Sequence, residues 1–211
     1  MPRGMRIKES ERRGKAFSPP LGRAKIVGAL RSLLAEKEFS AITWSDIAQT
    51  AGVNEGLIYK YFRNKRNLLH HSLHESLEDY LSSLETDLKG IVGAFNKLRK
   101  LIWSAISFYE KDRIVARILL LEVRNFPGYF ESRTYQLVKG YGRTILGIIK
   151  EGVELGEIRD DVSPWHLMQI ILGSIEHMCL PGLIFNRPIS PDEFTEKLCT
   201  ILFPSIGKRA T

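Results

Sequence analysis

The segment that most constrains the fold of this chain is residues 47–62, which read IAQTAGVNEGLIYKYF. Ile47 and Ala48 begin an apolar face at helical spacing and predict a short helix. Gly52 follows where the chain must turn sharply, a position that often requires positive φ. Asn54 can cap a second short helix with its side-chain oxygen. Two short helices joined by such a turn predict a helix-turn-helix, whose second helix enters the major groove of DNA.

Polar residues around this unit predict how it would bind DNA. Thr43 and Asp46 form a T-x-x-D capping box at the start of the first short helix, where free backbone N–H groups favour a phosphate. Lys60 could donate to guanine. Glu55 could accept from cytosine, or it could be a solvated acid that favours the helix dipole. The predicted DNA contacts are Thr43, Trp44, Asn54, Glu55, Gly56, Tyr59, Lys60, Tyr61 and Lys65.

The stretch from Arg23 to Leu69 resembles the N-terminal domain of the TetR family of bacterial transcriptional regulators. The residues that carry this ungapped resemblance are Phe39, Thr43, Ile47-Ala48, Ala51-Gly52-Val53, Gly56, Ile58-Tyr59, Tyr61-Phe62 and Lys65. The chain departs from the usual residues of the family at Glu38, Ile42, Asn54 and Arg66. The resemblance implies an all-α fold, in which a three-helix DNA-binding domain precedes a helical domain that binds a ligand and dimerises.

Basic residues are concentrated in the first third of the chain. Residues 1–70 hold 14 lysines and arginines against 6 acidic residues, whereas residues 71–211 hold 17 against 18. This excess is expected of a protein that neutralises DNA phosphates, although a basic soluble tail would give the same excess. We predict a basic flexible arm over residues 1–20, a DNA-binding domain over 21–70, and an effector-binding and dimerisation domain over 71–211.

The rest of the chain shows helical periods and no strand-like alternation. Beyond the helix-turn-helix, we predict a first helix over 21–37, a helix from Asn64 to about Gly90, helices over 94–110, 112–125 and 129–155, a helix capped by Ser163-Pro164 and stopped by Pro181-Gly182, and a last helix opened by Ser190-Pro191 and ended by Pro204.

The helix after Ser163 is apolar on more than one face, which predicts that a second subunit covers one of them in a twofold homodimer. The predicted dimer contacts are Trp165, Met168, Ile171, Ile175, Leu198 and Leu202. By resemblance, a small hydrophobic effector, such as an acyl-CoA or a drug-like compound, moves the two DNA-binding heads apart and releases a near-palindromic operator. The predicted pocket residues are Trp103, Ile106, Phe108, Leu119, Phe126, Phe130, Tyr141 and His177.

Catalytic and metal sites find little support in the sequence. It contains no G-x-S-x-G, phosphate loop, H-E-x-x-H or dinucleotide fingerprint. His70 and His74 have the spacing of metal ligands, but no third ligand is specified, so we predict no metal and no cofactor. Cys179 and Cys199 are predicted to be buried thiols. His177 is predicted to be a hydrogen-bonded interior histidine.

The sequence shows no apolar leader and no uncharged apolar run of about 18 residues, which predicts a cytoplasmic protein without a membrane partner. Two alternatives to an effector-controlled regulator stay open. One is a DNA-binding protein without an effector, which ligand-induced melting shifts would distinguish. The other is an enzyme with an appended DNA-binding head, which the lack of a catalytic set disfavours.

Overall fold

A computed structural model describes residues 21–208 as a bundle of α-helices. The predicted arm over residues 1–20 lies outside the described residues. Within the described range, the β-type pairing is a single antiparallel bridge between Ile158 and Gly207, so the all-α prediction is confirmed. The helices are α1 (Leu21–Glu36), α2 (Trp44–Ala51), α3 (Glu55–Tyr61), α4 (Lys65–Leu88), α5 (Ala94–Lys111), α6 (Arg113–Arg117), α7 (Arg133–Glu154), α8 (Pro164–Phe185) and α9 (Pro191–Ile206).

The first three helices form a head around α1, which packs against α2, α3 and the start of α4. Ile26 and Leu30 lie four residues apart on α1, and both are fully buried. Ile47 of α2 and Ile58 of α3 meet them and are also fully buried. Burying each such side chain contributes about 1.5–3 kcal/mol relative to its exposure. Helices as short as α2 and α3 are therefore held by this core rather than by their own propensity.

Helix α4 links the head to the rest of the bundle. It has 24 residues and therefore spans about 36 Å. It packs against α1 as well as against α5 and α7. Helix α5 is central to the body, where it packs against α7, α8 and α9.

Two predicted helix ends at prolines were wrong. Helix α8 continues through Pro181 to Phe185, and α9 continues through Pro204 to Ile206. A proline removes one N–H donor, but its fixed φ is compatible with a helix when packing holds both sides. Around the end of α8, the Arg113 guanidinium donates to the carbonyl oxygens of Gly182 and Arg187 at 3.2 and 3.0 Å. These tertiary bonds outweigh the local stop signal.

Two further boundary predictions are corrected. Helix α7 begins at Arg133 rather than near residue 129, because Ser132 caps it by accepting from the Tyr135 N–H and Pro127–Tyr129 forms a separate 3-10 turn. The Ser163 side chain makes no capping hydrogen bond at the start of α8.

The segment predicted as a helix over 112–125 is helical but irregular. After α6 the chain turns through a π-helical stretch, Ile118–Glu122, and then a 3-10 turn, Val123–Asn125. Such π-helical turns occur often at functional sites. Leu119 and Leu120 of this stretch are buried, so the irregular backbone belongs to the core.

Most of the predicted dimer contacts face the interior of the protomer, which corrects their assignment. Ile171 and Ile175 are 0% and 2% exposed, and Met168, Leu198 and Leu202 are also buried. Of the six predicted contacts, Trp165 alone is exposed. The outward apolar side chains on these helices are instead Trp165, Ile170, Ile184 and Phe185 of α8 and Ile201 of α9.

Among the described residues, α8 is also long and apolar enough to cross a membrane by length and composition. The core helix of a soluble protein meets the same test. Here one face of α8 packs into the bundle and a second face carries the outward apolar side chains. This double-sided apolar character suits a helix that lies between its own core and a second subunit.

Candidate nucleic-acid interface and ligand cavities

The turn between α2 and α3 has the conformation predicted for it. Gly52 adopts φ +63° and ψ +40°, the left-handed region. Its N–H bonds to the carbonyls at the end of α2, and the N–H of Val53 donates to the Ala48 carbonyl at 3.0 Å. A Cβ at Gly52 would meet no atom within 4 Å. Glycine is therefore required here for its backbone conformation and not for space.

Both short helices have the caps that the sequence predicts. The Thr43 hydroxyl accepts from the Asp46 N–H at 3.1 Å, and the Asp46 carboxylate accepts from the Thr43 N–H at 2.8 Å. The backbone hydrogen bond from Thr43, with help from Lys37, lowers the pKa of Asp46 to about 2. The Asn54 side-chain oxygen accepts from the Leu57 N–H at 2.8 Å and caps α3.

Most of the predicted DNA contacts share one accessible surface formed by the start of α2 and by α3. Trp44 and Tyr61 are half-buried: the Trp44 ring meets Tyr59 edge-on at 5.6 Å between centroids, and the Tyr61 ring lies against Phe62. The tryptophan therefore supports Tyr59, which is 56% exposed. The exposed members are Thr43, Asn54, Glu55, Gly56, Tyr59 and Lys60.

Lys65 has a structural bond besides its predicted role at phosphate. Its ammonium donates to the carbonyl oxygen of Ile42 and lies 5.4 Å from the centroid of the Phe39 ring. The start of α4 is thereby tied to the chain that leads into α2. An ammonium has three donors, so this bond leaves two for a phosphate oxygen.

An apolar cavity of about 470 Å³ lies in the body between α4, α5 and α7. Its volume falls within the range of about 300–1,000 Å³ that is usual for small-molecule sites. Lys89 and Lys97 lie at its rim, and their ammoniums pair with Glu85 and Glu151. The apolar lining is formed by Leu81, Leu84, Leu88, Tyr141 and Ile148.

Tyr141, which lines this cavity, lies beside a second tyrosine, Tyr80, which does not line it. Tyr80 stacks on Phe108 with 4.5 Å between ring centroids, and the Tyr141 ring lies 6.1 Å from Tyr80. The hydroxyls of Tyr80 and Tyr141 are both buried without a hydrogen-bond partner. Burial raises the pKa of Tyr80 to about 12 and raises that of Tyr141 well above its usual value of 10. Both hydroxyls are therefore neutral, and that of Tyr141, which lines the cavity, could donate to a polar group of a ligand.

The structure separates the eight predicted pocket residues. Tyr141 lines the apolar cavity and Phe108 supports it through Tyr80, whereas Ile106 and Leu119 are ordinary core. Trp103 is wrong for this pocket, because it lies between α5 and α9 and donates to Asp192 at 2.6 Å. Phe130 and His177 are exposed, so His177 is not an interior histidine. Phe126 lines a different cavity near the head.

The sequence prediction missed Leu81 and Leu84, which line the apolar cavity. From the sequence, both residues could be predicted only as apolar positions on α4.

That second cavity, about 730 Å³, lies where the head meets the body, and we call it the junction cleft. Arg23 of α1, Arg66 of α4 and Arg133 of α7 line it, together with His70, His71 and His74. The histidines of the cleft contact protein groups: His70 stacks on Tyr129, and His71 and His74 pair with Glu75 and Glu78. Among the described residues, no group of three histidine, cysteine or acidic side chains is placed to hold a metal.

Several contacts join the head to the body, and the sequence gives no sign of them. Arg31 of α1 forms an ion pair with Asp112 at the start of α6. Arg117 pairs with Glu38 at 3.3 Å. Arg66 lies 4.5 Å from the centroid of the Phe126 ring. The partners are 60 to 81 positions apart in sequence, so only the fold brings them together.

The two cysteines are buried and free, as predicted. Burial raises the pKa of the Cys179 thiol to about 12 and also raises the pKa of Cys199. Neither thiol is therefore a candidate nucleophile, since the thiolate is the reactive form.

The sequence profile of bacterial regulatory proteins of the tetR family matches residues 26–71, and that of the C-terminal region of YsiA-like proteins matches residues 73–181. The fatty acid metabolism regulator protein of Bacillus subtilis (strain 168) is 30% identical over 152 residues, which cover 72% of this chain and 78% of the relative. The chain belongs to the TetR family. This regulator therefore binds DNA and acts as a homodimer.

Solved structures resemble the regulator over most of its length. The crystal structure of the transcriptional regulator FadR from Bacillus subtilis in complex with stearoyl-CoA has a TM-score of 0.78 and 26% identity, and it covers 87% of this chain and 98% of its own. The structure of AibR in complex with isovaleryl coenzyme A and operator DNA has a TM-score of 0.72 at 17% identity, with coverages of 88% and 99%. At 17% identity, the similarity to the AibR structure establishes the fold alone.

Proposed function

We propose that this regulator is a cytoplasmic repressor without enzymatic activity and that a long-chain acyl-CoA releases it from its operator. Residues 21–70 form the DNA-binding domain, and residues 71–211 bind the effector and dimerise. The apolar cavity between α4, α5 and α7 carries the proposal, because it has an apolar lining, the buried hydroxyl of Tyr141 and two lysines at its rim. The stearoyl-CoA complex of the similar FadR supports this choice of ligand.

The DNA-binding surface proposed is the accessible side of α2 and α3. Helix α3 enters the major groove, where Lys60 and Glu55 meet base edges and Gly56 permits close approach of the backbone. Thr43, Trp44, Tyr59 and Lys65 position the unit on phosphates. Asn54 and Tyr61 flank α3, with Asn54 fixing its first turn through the Leu57 N–H.

The dimer surface proposed is the outward apolar face of α8 with the neighbouring side of α9. Trp165, Ile170 and Phe185 are 51%, 50% and 66% exposed, and Ile201 is 73% exposed. Large apolar side chains left on one surface of a protomer mark an interface. A twofold axis through this surface would present two α3 helices about one DNA turn, or a multiple of it, apart.

Release follows from the shared position of α4. The effector cavity is built on the distal half of α4, and the head packs on its first turns. A ligand that prefers one α4–α7 arrangement shifts the population of head spacings toward that arrangement. If the distance between the two heads of the dimer no longer matches the distance between the two half-sites, the affinity for the operator falls.

The proposal is tested by fluorescence anisotropy with a labelled duplex that the protein selects from random sequences. Palmitoyl-CoA should lower the anisotropy, whereas palmitate and free CoA should act only at much higher concentration. Leu81→Trp fills the cavity and should raise the palmitoyl-CoA concentration needed for release by about tenfold or more, since a well-packed cavity has no room for the chain. Ser82→Trp places the same ring one residue away on an exposed position and serves as the control.

Release that is absent with every acyl-CoA, or that is the same in Leu81→Trp and the wild type, would exclude this cavity as the effector site. The first outcome would also favour a DNA-binding protein without an effector.

A further inference from the structure

The apolar cavity and the junction cleft lie in line along one face of α4. Asn67, His71 and Glu78 line the cleft, and Leu81, Glu85 and Leu88 continue at spacings of three and four into the cavity. Residues at such spacing share one face of a helix. Along α7, as along α4, the residues that line the cleft come first and those that line the cavity follow. Arg133 and Thr134 line the cleft, and Tyr141 and Ile148 line the cavity.

The two ends of this face differ in chemistry. The distal end is apolar, as its leucine lining shows. The cleft holds three arginines from three different helices and two carboxylates, Glu75 and Glu78, which lie 2.9 and 3.9 Å from the ring nitrogens of His71 and His74. Within residues 21–208, no carboxylate lies at ion-pair distance from Arg66 or Arg133. The guanidiniums of the cleft outnumber its two carboxylates, and those of Arg66 and Arg133 have no ion-pair partner among the described residues.

From this alignment, which rests on the proposed function, we infer that the junction cleft binds the phosphate groups of the same acyl-CoA whose acyl chain fills the apolar cavity. The face from Asn67 to Leu88 is about 30 Å long, because a helix rises about 1.5 Å per residue. An acyl-CoA is likewise elongated, apolar at one end and phosphorylated at the other. Guanidinium groups suit phosphate oxygens, since their N–H donors form paired, charge-assisted hydrogen bonds.

Two details of the cleft support phosphate binding. The Arg66 guanidinium stacks over Phe126, which orients it without using its charge on a carboxylate. The ring nitrogens Nδ1 of His70 and His74 are buried without partners. A phosphate that bridges Arg66 of the head side and Arg133 of the body side would fix their separation, so occupation of the cleft would act directly on the position of the head.

Calorimetric titration of the full-length dimer tests this inference with two ligands, palmitoyl-CoA and palmitoyl-pantetheine, which keeps the thioester but lacks phosphate. Arg133→Gln should weaken palmitoyl-CoA binding by about tenfold or more and leave palmitoyl-pantetheine binding unchanged, because loss of a charge-assisted bond affects only the phosphorylated ligand. Arg133→Lys should restore part of the loss. Lys150→Gln, which removes one exposed charge from the same helix far from the cleft, is the matched control.

Further arms identify the source of the phosphate. Adenosine 3′,5′-bisphosphate should compete with palmitoyl-CoA in the wild type, and inorganic phosphate at equal concentration should compete much less. Equal palmitoyl-CoA affinity in Arg133→Gln and the wild type would overturn the inference, as would equal weakening of both ligands. Failure of the wild type to bind either palmitoyl ligand would instead count against the proposed function.

Discussion

The conformation of Gly52 predicts that alanine substitutions at Gly52 and Gly28 change the free energy of unfolding in opposite directions. At Gly52, φ is +63° and an added Cβ would meet no atom within 4 Å, so Gly52→Ala changes only the backbone energy. An L-residue in this region costs about 1–2 kcal/mol. Gly28 lies exposed in the middle of α1, where an added Cβ also meets no atom within 4 Å. There, alanine should stabilise the helix by about 0.8–1.0 kcal/mol.

These free energies translate into measurable melting shifts. For a chain of this size, 1 kcal/mol corresponds to about 2–4 °C in Tm. Gly52→Ala should therefore lower the Tm of the head transition by roughly 2–8 °C and weaken operator binding, and Gly28→Ala should raise it by about 2–4 °C. Circular dichroism and differential scanning calorimetry on the full chain measure both. Gly52→Asn, which tolerates the left-handed region better than alanine, should fall between Gly52→Ala and the wild type. The reasoning is refuted if both alanine variants shift Tm in the same direction.

Three further predictions concern the dimer, pH and salt. Ile201→Asp should give folded monomers in sedimentation at micromolar concentration with weak operator binding, whereas Ile171→Asp should unfold the protomer, because Ile201 is 73% exposed and Ile171 is fully buried. Burial lowers the pKa of His71 below 6.5, so the folded state prefers the neutral ring. The Tm of the wild type should therefore fall as the pH drops below about 6.5. An equal fall of Tm in His71→Gln would contradict this cause. Lys65→Ala should weaken operator and random DNA about equally and reduce the salt slope by about one unit; loss of specificity at an unchanged slope would exclude the phosphate contact.

The head could be predicted closely because its signals are local. A capping box needs two suitable residues three positions apart, and a left-handed turn needs a glycine at one position. The roles of Thr43, Asp46 and Gly52 can therefore be predicted from the sequence alone. Both features have the predicted geometry in the structure. The same argument explains why Asn54 was predictable as the cap of α3.

The body was less predictable because its features depend on long-range packing. Helix α8 is apolar on most sides, and spacing alone does not say which side its own protomer covers; the structure turns Ile171 inward and Ile170 outward. The end of α8 depends on Arg113, which is 69 residues away from Gly182. The junction cleft needs Arg23, Arg66 and Arg133 from three helices, and no periodicity in the sequence relates them.

The most direct test of effector-controlled repression is to measure palmitoyl-CoA affinity by calorimetry for the free dimer and for the dimer bound to its operator. Coupling between two sites is reciprocal, so operator must weaken palmitoyl-CoA binding by the factor by which palmitoyl-CoA weakens operator binding. Effector-controlled repression predicts a common factor of about 5–150, the usual range for such coupling. Equal palmitoyl-CoA affinity for the free and the operator-bound dimer would contradict it.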